Sequence, residues 1–184
     1  MVTHHGTVPM KLDLLLPLGI SFYTFQSMGY LIDVYNGKYK AEKNLFKFAL
    51  FISFFPQIVQ GPINRFDKLS EQLYKTHRFD WQKFKYALQL ILWGLFKKMV
   101  IADRAITLVN ETFKNYDNYG GAITVVGVLF YSLQQYADFS GGIDVAMGIS
   151  ELLGINMAVN FRRPYFSTSL SEFWRRWHIS LGAW

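Results

Sequence analysis

Nineteen consecutive residues near the start of the chain carry no charge: Leu14-Leu-Leu-Pro-Leu-Gly-Ile-Ser-Phe-Tyr-Thr-Phe-Gln-Ser-Met-Gly-Tyr-Leu-Ile32. As an α-helix this run would be about 28 Å long, close to the roughly 30 Å hydrocarbon core of a bilayer. Pro17 and Gly19 lie in its first turns, where a missing N–H costs a helix least. A signal peptide is the competing interpretation, but the run is too long and no small-x-small cleavage site follows it. The stretch therefore predicts a membrane-spanning helix, preceded by an N-terminal tail over residues 1–13.

The composition of the 184-residue chain also favours a membrane protein. Hydrophobic residues make up 51% and charged residues 17%, whereas about 25% of a soluble domain is charged. Such a composition excludes a disordered chain, and the lack of cysteine excludes a disulfide scaffold, a thiol nucleophile and a zinc–thiolate site. The net charge of +6 suits either a nucleic acid or an anionic membrane face. The apolar excess favours the membrane.

Three further segments predict a polytopic, all-α protein. Residues 118–137 form a second uncharged run, of 20 residues, that is long enough to span. Residues 48–64 are uncharged too, but two prolines and a glycine would break a helix there, which predicts a re-entrant or discontinuous segment. Residues 80–112 have helical periodicity with lysines that could snorkel, so a span and an interfacial helix are equally good interpretations. Simple alternation of spans would place every second basic loop outside, against the positive-inside rule, and this conflict eases if 48–64 enters the bilayer and returns.

One titratable side chain lies on an aromatic face near the end of the chain. The capping-box pattern Ser169-Leu-Ser-Glu172 predicts a helix that continues to the last residue. One face of that helix would hold Leu170, Phe173, Trp174, Trp177, His178 and Leu181. Burial there would lower the pKa of His178 and leave a neutral imidazole that accepts a proton. From the pattern alone, a packed core histidine is the more frequent case, and Trp174 and Trp177 are more often interface anchors than substrate platforms.

A second polar stretch, Asp138-Phe-Ser-Gly-Gly-Ile-Asp144, follows the predicted span over 118–137. Two acids, a serine and paired glycines predict a tight polar turn at the membrane boundary. The turn could line a substrate passage, but the favoured and plainer interpretation is that Asp138 and Ser140 cap helix ends. The chain's four histidines are too scattered for a metal cluster, so no metal site is predicted.

Several stretches resemble the membrane-bound O-acyltransferase (MBOAT) family in its alginate O-acetyltransferase-like branch. They are Leu16-Pro-Leu-Gly-Ile-Ser-Phe-Tyr-Thr-Phe25, Phe54-Phe-Pro-Gln-Ile-Val-Gln-Gly-Pro-Ile63, Tyr136-Ala-Asp-Phe-Ser-Gly141, Asn160-Phe161 and Ser171-Glu-Phe-Trp-Arg-Arg-Trp-His-Ile-Ser-Leu181. The last motif is highly specific. The resemblance implies an all-α, polytopic, multi-pass protein of the bacterial cytoplasmic membrane, with transmembrane, re-entrant and interfacial helices and a tunnel through the membrane.

The resemblance also implies an activity: transfer of an acyl group, usually acetyl, to hydroxyls of a cell-surface or exported polysaccharide. The implied donor is acetyl-CoA or another acyl thioester, with no bound cofactor and no nucleic acid, and an extracytoplasmic acetyltransferase partner would complete the transfer. His178 matches the motif histidine and would take the proton of the attacking hydroxyl, which is worth about 10²–10⁴-fold in rate. Residues expected to bind substrate or shape the site are Trp174, Arg175, Arg176, Trp177, Asp138 and Ser140.

The chain departs from the family pattern in two respects. Family members are more than twice as long, and a second family histidine, in a Trp-His-Gly context, falls beyond Trp184. We therefore expect residues 14–184 to be a partial domain that is inactive on its own. Gly142-Ile143 stands where the family commonly has an aromatic residue and a serine, which leaves the geometry of that turn open.

Two rival functions stay open at this point. The family's other bacterial branch passes D-alanine toward teichoic acids, although Arg175-Arg176 favours the acetylating branch. A transporter or channel subunit is the rival from another class, because broken helices and intramembrane polar groups are typical of transporters too. A nucleic-acid binder at the membrane surface is a distant third, since the basic residues form no single patch interleaved with aromatic residues.

Overall fold

The computed structural model describes residues 18–184, in which every regular element is a helix. The α-helices are α1 (Ile20–Tyr35), α2 (Leu45–Ile52), α3 (Phe55–Ile58), α4 (Phe66–Leu73), α5 (Trp81–Leu95), α6 (Asp103–Lys114), α7 (Gly121–Leu152), α8 (Leu170–Arg176) and α9 (Ile179–Ala183). A π-helical segment, Phe96–Ala102, joins α5 to α6, and 3₁₀ turns cover Tyr116–Asn118 and Pro164–Phe166. The prediction of an all-α fold is confirmed for these residues, and so is the helical character of 80–112.

The predicted interruption within 48–64 is confirmed. Helix α2 ends at Ile52, the four-residue α3 begins at Phe55, and the backbone is irregular from 59 to 65. Pro56 lies in the first turn of α3, where its missing N–H needs no intrahelical partner. The buried Gln57 connects the two helices, because its Nε2 donates to the carbonyl oxygen of Phe51 at 3.0 Å. Entry of this segment into a bilayer stays a prediction.

A hydrophobic core rich in aromatic residues lies between α1, α2, α4 and the segment that follows α7. Its buried members are Tyr30, Phe51, Phe54, Phe66, Leu69, Ile155 and Met157. At its edge, Asp33 of α1 forms ion pairs with Lys38, at 2.5 Å, and with Arg65, at 2.9 Å. Burial raises the pKa of the Asp33 carboxyl, but the hydrogen bonds from these two cations outweigh burial and leave the pKa below its ordinary value. The ion pair with Arg65 therefore holds the irregular segment against α1.

Helix α7 packs along α5 through residues that have little or no side chain. A Cβ on Gly94 of α5 would lie 2.6 Å from the carbonyl oxygen of Gly141 in α7, and a Cβ on Gly148 would lie 2.8 Å from that of Ala87. Ala87 itself is fully buried. Small residues of this kind allow two helix backbones to approach closely. This contact positions the part of α7 whose Phe139 contacts His178.

The tight polar turn predicted over 138–144 is absent from the structure, because these residues lie inside the 32-residue α7. Asp138 and Ser140 consequently cap no helix end, and they do not form the turn that the family resemblance implied. Glycine lowers helix propensity by about 1 kcal/mol relative to alanine. Here close packing outweighs that cost, since a Cβ on Gly141 would lie 2.8 Å from the carbonyl oxygen of Gly94.

Among residues 18–184, none of the helices combines the length and the apolar character that crossing a bilayer requires. Neither span predicted from the sequence, over 14–32 or over 118–137, is confirmed. Residues 14–17 of the first run, together with the N-terminal tail 1–13, lie outside the described residues. The second run is divided in the structure, with a 3₁₀ turn ending at Asn118 and α7 beginning at Gly121.

Candidate functional site

His178 lies at a break between two short helices. Helix α8 ends at Arg176, Trp177 has extended backbone, and α9 begins at Ile179. His178 itself has φ 46° and ψ 53°, in the left-handed region. Non-glycine residues rarely adopt this conformation, and it costs of order 1–3 kcal/mol unless the surroundings impose it. The single helix predicted from Ser169 to the chain end is therefore wrong, and its interruption falls at the candidate base.

The start of that predicted helix is confirmed. Ser169 is the N-cap residue of α8, and its Oγ accepts a hydrogen bond from the backbone N–H of Glu172 at 3.1 Å. The Glu172 carboxylate reaches back to Thr168, one residue before the cap, and accepts from its backbone N–H at 2.7 Å. Glu172 also forms an ion pair with Arg176, at 2.5 Å. These contacts fix α8 at both ends of its two turns.

Asn160 binds three successive residues of the break. Its backbone carbonyl accepts from the N–H of Ile179 at 3.0 Å, and its side-chain Oδ1 accepts from the N–H of Ser180 at 2.8 Å. The same Oδ1 lies 3.3 Å from Nδ1 of His178. Asn160 is 1% exposed. Two residues further on, the N–H of Arg162 donates to the carbonyl of Arg176 at 2.9 Å, so the segment 160–162 runs alongside the break and holds it.

One aromatic ring contacts the half-buried imidazole, and further rings pack behind that ring. The ring of Phe139, from α7, meets the His178 ring edge to face at a centroid distance of 4.9 Å. Behind it, Phe161 lies edge to face against Phe139 at 5.2 Å and against Trp177 at 4.9 Å. Burial among these groups lowers the pKa of His178, as the sequence predicts. The imidazole is therefore neutral at neutral pH and is able to accept a proton.

The residues predicted to shape the site separate into two groups. Trp177 lies in the aromatic cluster beside His178, stacked on Phe173 at 5.5 Å. Arg176 lies behind that cluster, bound to Glu172. Trp174 is 58% exposed and Arg175 is exposed as well, and among the described residues no hydrogen bond or ring contact joins either of them to His178.

Asp138 and Ser140 lie on α7 on either side of Phe139, and both contact lysines of the π-helical segment. Asp138 forms an ion pair with Lys98 at 2.5 Å. Ser140 accepts from Lys97 at 2.9 Å, and Lys97 also forms an ion pair with Asp144 at 2.9 Å. The Lys97 side chain is 8% exposed, so it does not snorkel as the sequence suggests. These polar contacts fix the stretch of α7 that presents Phe139 to His178.

A cavity of about 130 Å³ lies beside the break. Ile179 and Ser180 form one wall, and the irregular segment 63–65 forms another. Ser180 is 5% exposed, and its Oγ accepts from the backbone N–H of Ile63 at 3.1 Å. The cavity has room for several water molecules or a small organic group. His178 directly precedes this wall in the chain, but its own side chain does not line the cavity.

Three residues of this site escape sequence reasoning. Asn160 belongs to a stretch that resembles the family, but no periodicity or spacing connects it with a histidine 18 residues later. Phe139 stands between Asp138 and Ser140, and the prediction of a site considers those two polar residues and not the ring between them. Lys97 follows an apolar helical run, which is typical of a snorkelling lysine. Only the packing of α7 on the π-helical segment reveals its buried partners.

Comparison with known proteins places the chain in a family. The model of the membrane-bound O-acyltransferase family matches residues 41–184. The chain is 42% identical, over its whole length, to a protein of Pseudomonas aeruginosa described as a probable alginate O-acetylase, AlgI, and spans 35% of that protein. It is 33% identical to the peptidoglycan O-acetyltransferase of Helicobacter pylori, with 92% of this chain and 37% of that protein covered.

A third relative has a different acyl group in its name. The chain is 33% identical to the teichoic acid D-alanyltransferase of Streptococcus thermophilus, with 91% of this chain and 41% of that protein covered. The chain thus spans well under half the length of each of these curated relatives. A family match of this extent, together with relatives above 30% identity along almost the entire chain, shows that the chain belongs to the membrane-bound O-acyltransferase family.

Proposed function

We propose that the full-length protein is a membrane-embedded O-acyltransferase that moves acetyl groups to hydroxyls of a cell-surface or exported polysaccharide. The observation that carries this proposal is the neutral imidazole of His178, held in a left-handed backbone conformation against Phe139 and bound to Asn160. Identity of 42% to an alginate O-acetylase, against 33% to a D-alanyltransferase, supports the acetylating reaction.

In the proposed reaction His178 acts as a general base. A polysaccharide hydroxyl oxygen attacks the carbonyl carbon of an acyl thioester while the imidazole takes the hydroxyl proton. The new C–O bond forms, the C–S bond breaks, and the proton passes from the imidazole to the leaving thiolate. General-base assistance of this kind is worth about 10²–10⁴-fold in rate. Burial against Phe139 serves the reaction by keeping the base neutral, because it removes part of the water that would stabilise an imidazolium.

The surface of the described residues supports a location in lipid. The first half of α7 exposes a series of large apolar side chains: Ile123, Val125, Val126, Val128, Leu129 and Leu133. Contiguous apolar surface of this kind is rare on soluble monomers and marks contact with lipid or with further protein. The name of the family describes its members as membrane-bound. We propose the bacterial cytoplasmic membrane as the location, in a multi-pass arrangement.

The polysaccharide acceptor, the acyl donor and an extracytoplasmic acetyltransferase partner are likewise parts of the proposal. We propose acetyl-CoA or another acyl thioester as the donor. We also propose that residues 1–184 are inactive alone. The relatives are much longer, and the corresponding remainder of the full-length protein would supply the other walls of the site. Acyl transfer by the purified 184-residue chain would contradict that statement.

Transfer of D-alanine toward teichoic acids is the second candidate, and the 33% identity to the Streptococcus thermophilus enzyme favours it over a transporter subunit. One experiment separates the candidates. Cells lacking the full-length gene are complemented with the wild type, with His178→Ala or with an empty vector, and the acyl esters of wall polymers and exopolysaccharide are measured by mass spectrometry. We expect O-acetyl esters to depend on the gene and on His178, at equal protein levels in the membrane fraction.

Two results would overturn the proposal. Loss of D-alanyl esters with unchanged O-acetyl esters would establish the second candidate. Full O-acetylation in cells that carry His178→Ala would show that the imidazole is not the base.

A further inference from the structure

We propose that Asn160 is a positioning residue for His178: its side-chain oxygen fixes the imidazole as the tautomer with the proton on Nδ1, which leaves Nε2 as the proton acceptor. This inference rests on the proposed role of His178 as a base. It concerns a residue that lies 18 positions earlier in the chain and that makes no contribution to the motif around the histidine.

The orientation of the Asn160 amide follows from a backbone donor. The N–H of Ser180 lies 2.8 Å from Oδ1, and a backbone N–H can only donate. The side-chain atom facing it must therefore be the oxygen and not the NH₂ group. This contact removes the ambiguity between oxygen and nitrogen that an asparagine amide otherwise has.

The tautomer of His178 follows from that orientation. Oδ1 of Asn160 is an acceptor, so the Nδ1 atom 3.3 Å away can bond to it only as an N–H donor. The distance is slightly long for an N–H···O bond, and catalytic hydrogen bonds are often long before substrate binds. A neutral imidazole has one proton on its two nitrogens, so protonation of Nδ1 leaves a lone pair on Nε2. Nε2 is then the atom that takes the hydroxyl proton.

The backbone of Asn160 fixes the direction of the ring as well. Its carbonyl accepts from the N–H of Ile179 at 3.0 Å, so residues 178, 179 and 180 are all bound to this one asparagine. A left-handed histidine is strained and persists only where its surroundings impose it. With 1% exposure, Asn160 has no freedom to leave this position. One buried residue therefore holds both the tautomer and the backbone conformation of the base.

The side chain at position 160 is an amide and not a carboxylate, which supports a chemical role for Asn160. Nδ2 of Asn160 is buried and has no hydrogen-bond partner among residues 18–184. An unpaired buried donor destabilises a fold, because the group has lost its hydrogen bond to water. An aspartate would accept the same two N–H groups without leaving a donor unpaired, but its charge would stabilise the imidazolium and raise the pKa of His178. A neutral acceptor keeps the histidine deprotonated.

The charged groups on the surrounding elements have partners of their own. Asp138 and Asp144 of α7 are paired with Lys98 and Lys97, Arg176 of α8 is paired with Glu172, and Arg162 is exposed. A carboxylate introduced at position 160 would thus be a new charge directly beside the imidazole.

The first test measures the tautomer in the full-length protein, reconstituted in nanodiscs with ¹⁵N-labelled histidine. The signals of His178 are those lost in His178→Gln. We expect the wild type to show a protonated Nδ1 and an unprotonated Nε2, and Asn160→Leu to lose this preference. A wild-type His178 with its proton on Nε2 would overturn the inference. Because no turnover is needed, this result is independent of the proposed reaction.

The second test compares rates across pH, with acetyl-CoA and de-esterified alginate as the donor and acceptor probes. We expect Asn160→Leu to lower kcat about 10–100-fold with little change in KM, as loss of an orienting hydrogen bond does at other sites. Asn160→Asp should keep activity, with the acid limb of kcat moved up by roughly one pH unit or more. Asn156→Asp, exposed on the same segment, is the matched control and should leave the profile unchanged.

Two outcomes of the rate measurements are decisive. If Asn160→Asp and Asn160→Leu lower kcat equally with the same pH midpoint, Asn160 has only a structural role and the inference is wrong. If His178→Gln retains full activity while the wild type still shows the Nδ1–H tautomer, the proposed function fails and the assignment of Asn160 stands. Asn160→Asp keeps both acceptor contacts, so it serves as the folded variant if Asn160→Leu does not reach the membrane.

Discussion

Two polar stretches, around 138–144 and around 178, differ from their sequence predictions in opposite ways: the first is a helix where a turn is predicted, and the second is a break where a helix is predicted. Paired glycines at 141 and 142 are typical of a turn, but they lie inside the 32-residue α7. The motif around His178 is typical of a continuous helix, but the helix is interrupted at a left-handed histidine. In both cases distant residues determine the outcome. Gly94 requires a neighbour without a side chain, and Asn160 binds three residues of the break.

The unusual residues of the two regions also have different consequences, for stability in one region and for activity in the other. Around α7 the unusual residues allow tight packing and bury an ion pair, which stabilises the helix pair. Around His178 the unusual conformation is itself strained, and it places the imidazole against Phe139 and within reach of Asn160. Strain of this kind is found at functional sites, where the surroundings over-determine it. We therefore expect substitutions at 178 to change activity and substitutions in α7 to change stability.

The largest expected effect is on activity. His178→Ala in the full-length protein should lower acyl transfer by about 10²–10⁴-fold, because the general base is lost, while thermal stability changes little. His77→Ala is the matched control, since His77 is exposed and its Nε2 lies 2.8 Å from the carbonyl of Gln72, away from the break. Steady-state rates and thermal unfolding of the two variants check the prediction. Equal loss of activity in both would show that the break is no site of catalysis.

The buried lysine of the π-helical segment gives the next effect, on stability. Lys97→Ala leaves Asp144 and Ser140 without their cation, and breaking a buried ion pair costs about 3–5 kcal/mol. Lys98→Ala removes two ion pairs, with Asp138 and Asp103, but the lysine side chain is 46% exposed and such pairs contribute about 0–1 kcal/mol each. Denaturant or thermal unfolding in detergent should therefore separate the two neighbouring lysines. Equal destabilisation would mean that Lys97 is solvated in the full-length protein.

The paired glycines of α7 should respond with opposite signs. A Cβ at 141 would meet the backbone oxygen of Gly94 at 2.8 Å, so Gly141→Ala forces two helix backbones apart and should cost about 1–3 kcal/mol. A Cβ at 142 would meet the terminal Oε1 of Gln60, which can rotate away. Gly142→Ala should then be neutral or gain up to about 1 kcal/mol of helix propensity. Similar unfolding midpoints for both variants would disprove the close contact between α5 and α7.

The sequence predicts those features that depend on local chemistry. It predicts the all-α class, the interruption within 48–64, the helical course of 80–112, the N-cap at Ser169 and the low pKa of His178. Each follows from the propensities of neighbouring residues or from apolar periodicity. The confirmed features of the site are accordingly those that depend on residues close to His178 in the sequence.

The features that escape prediction depend on contacts between distant residues. No local signal shows that Asn160 faces His178, that Lys97 is buried against Asp144, or that Gly94 and Gly141 touch. Periodicity places Trp174 beside His178 on one helical face, but the extended backbone at Trp177 separates the two residues. Tertiary packing overrides local propensity at each of these points.

The smallest expected effect concerns the one end of the His178 motif where sequence and structure agree. Ser169→Ala removes the side-chain acceptor of the Glu172 N–H, and loss of an N-cap serine costs about 1 kcal/mol. Ser171→Ala, exposed in the first turn of the same helix, removes a hydroxyl without removing the cap. Because α8 leads directly into the break, loosening its start should lower the unfolding midpoint of the Ser169 variant and leave the tautomer of His178 unchanged. A changed tautomer would show that the cap, and not Asn160 alone, sets the imidazole.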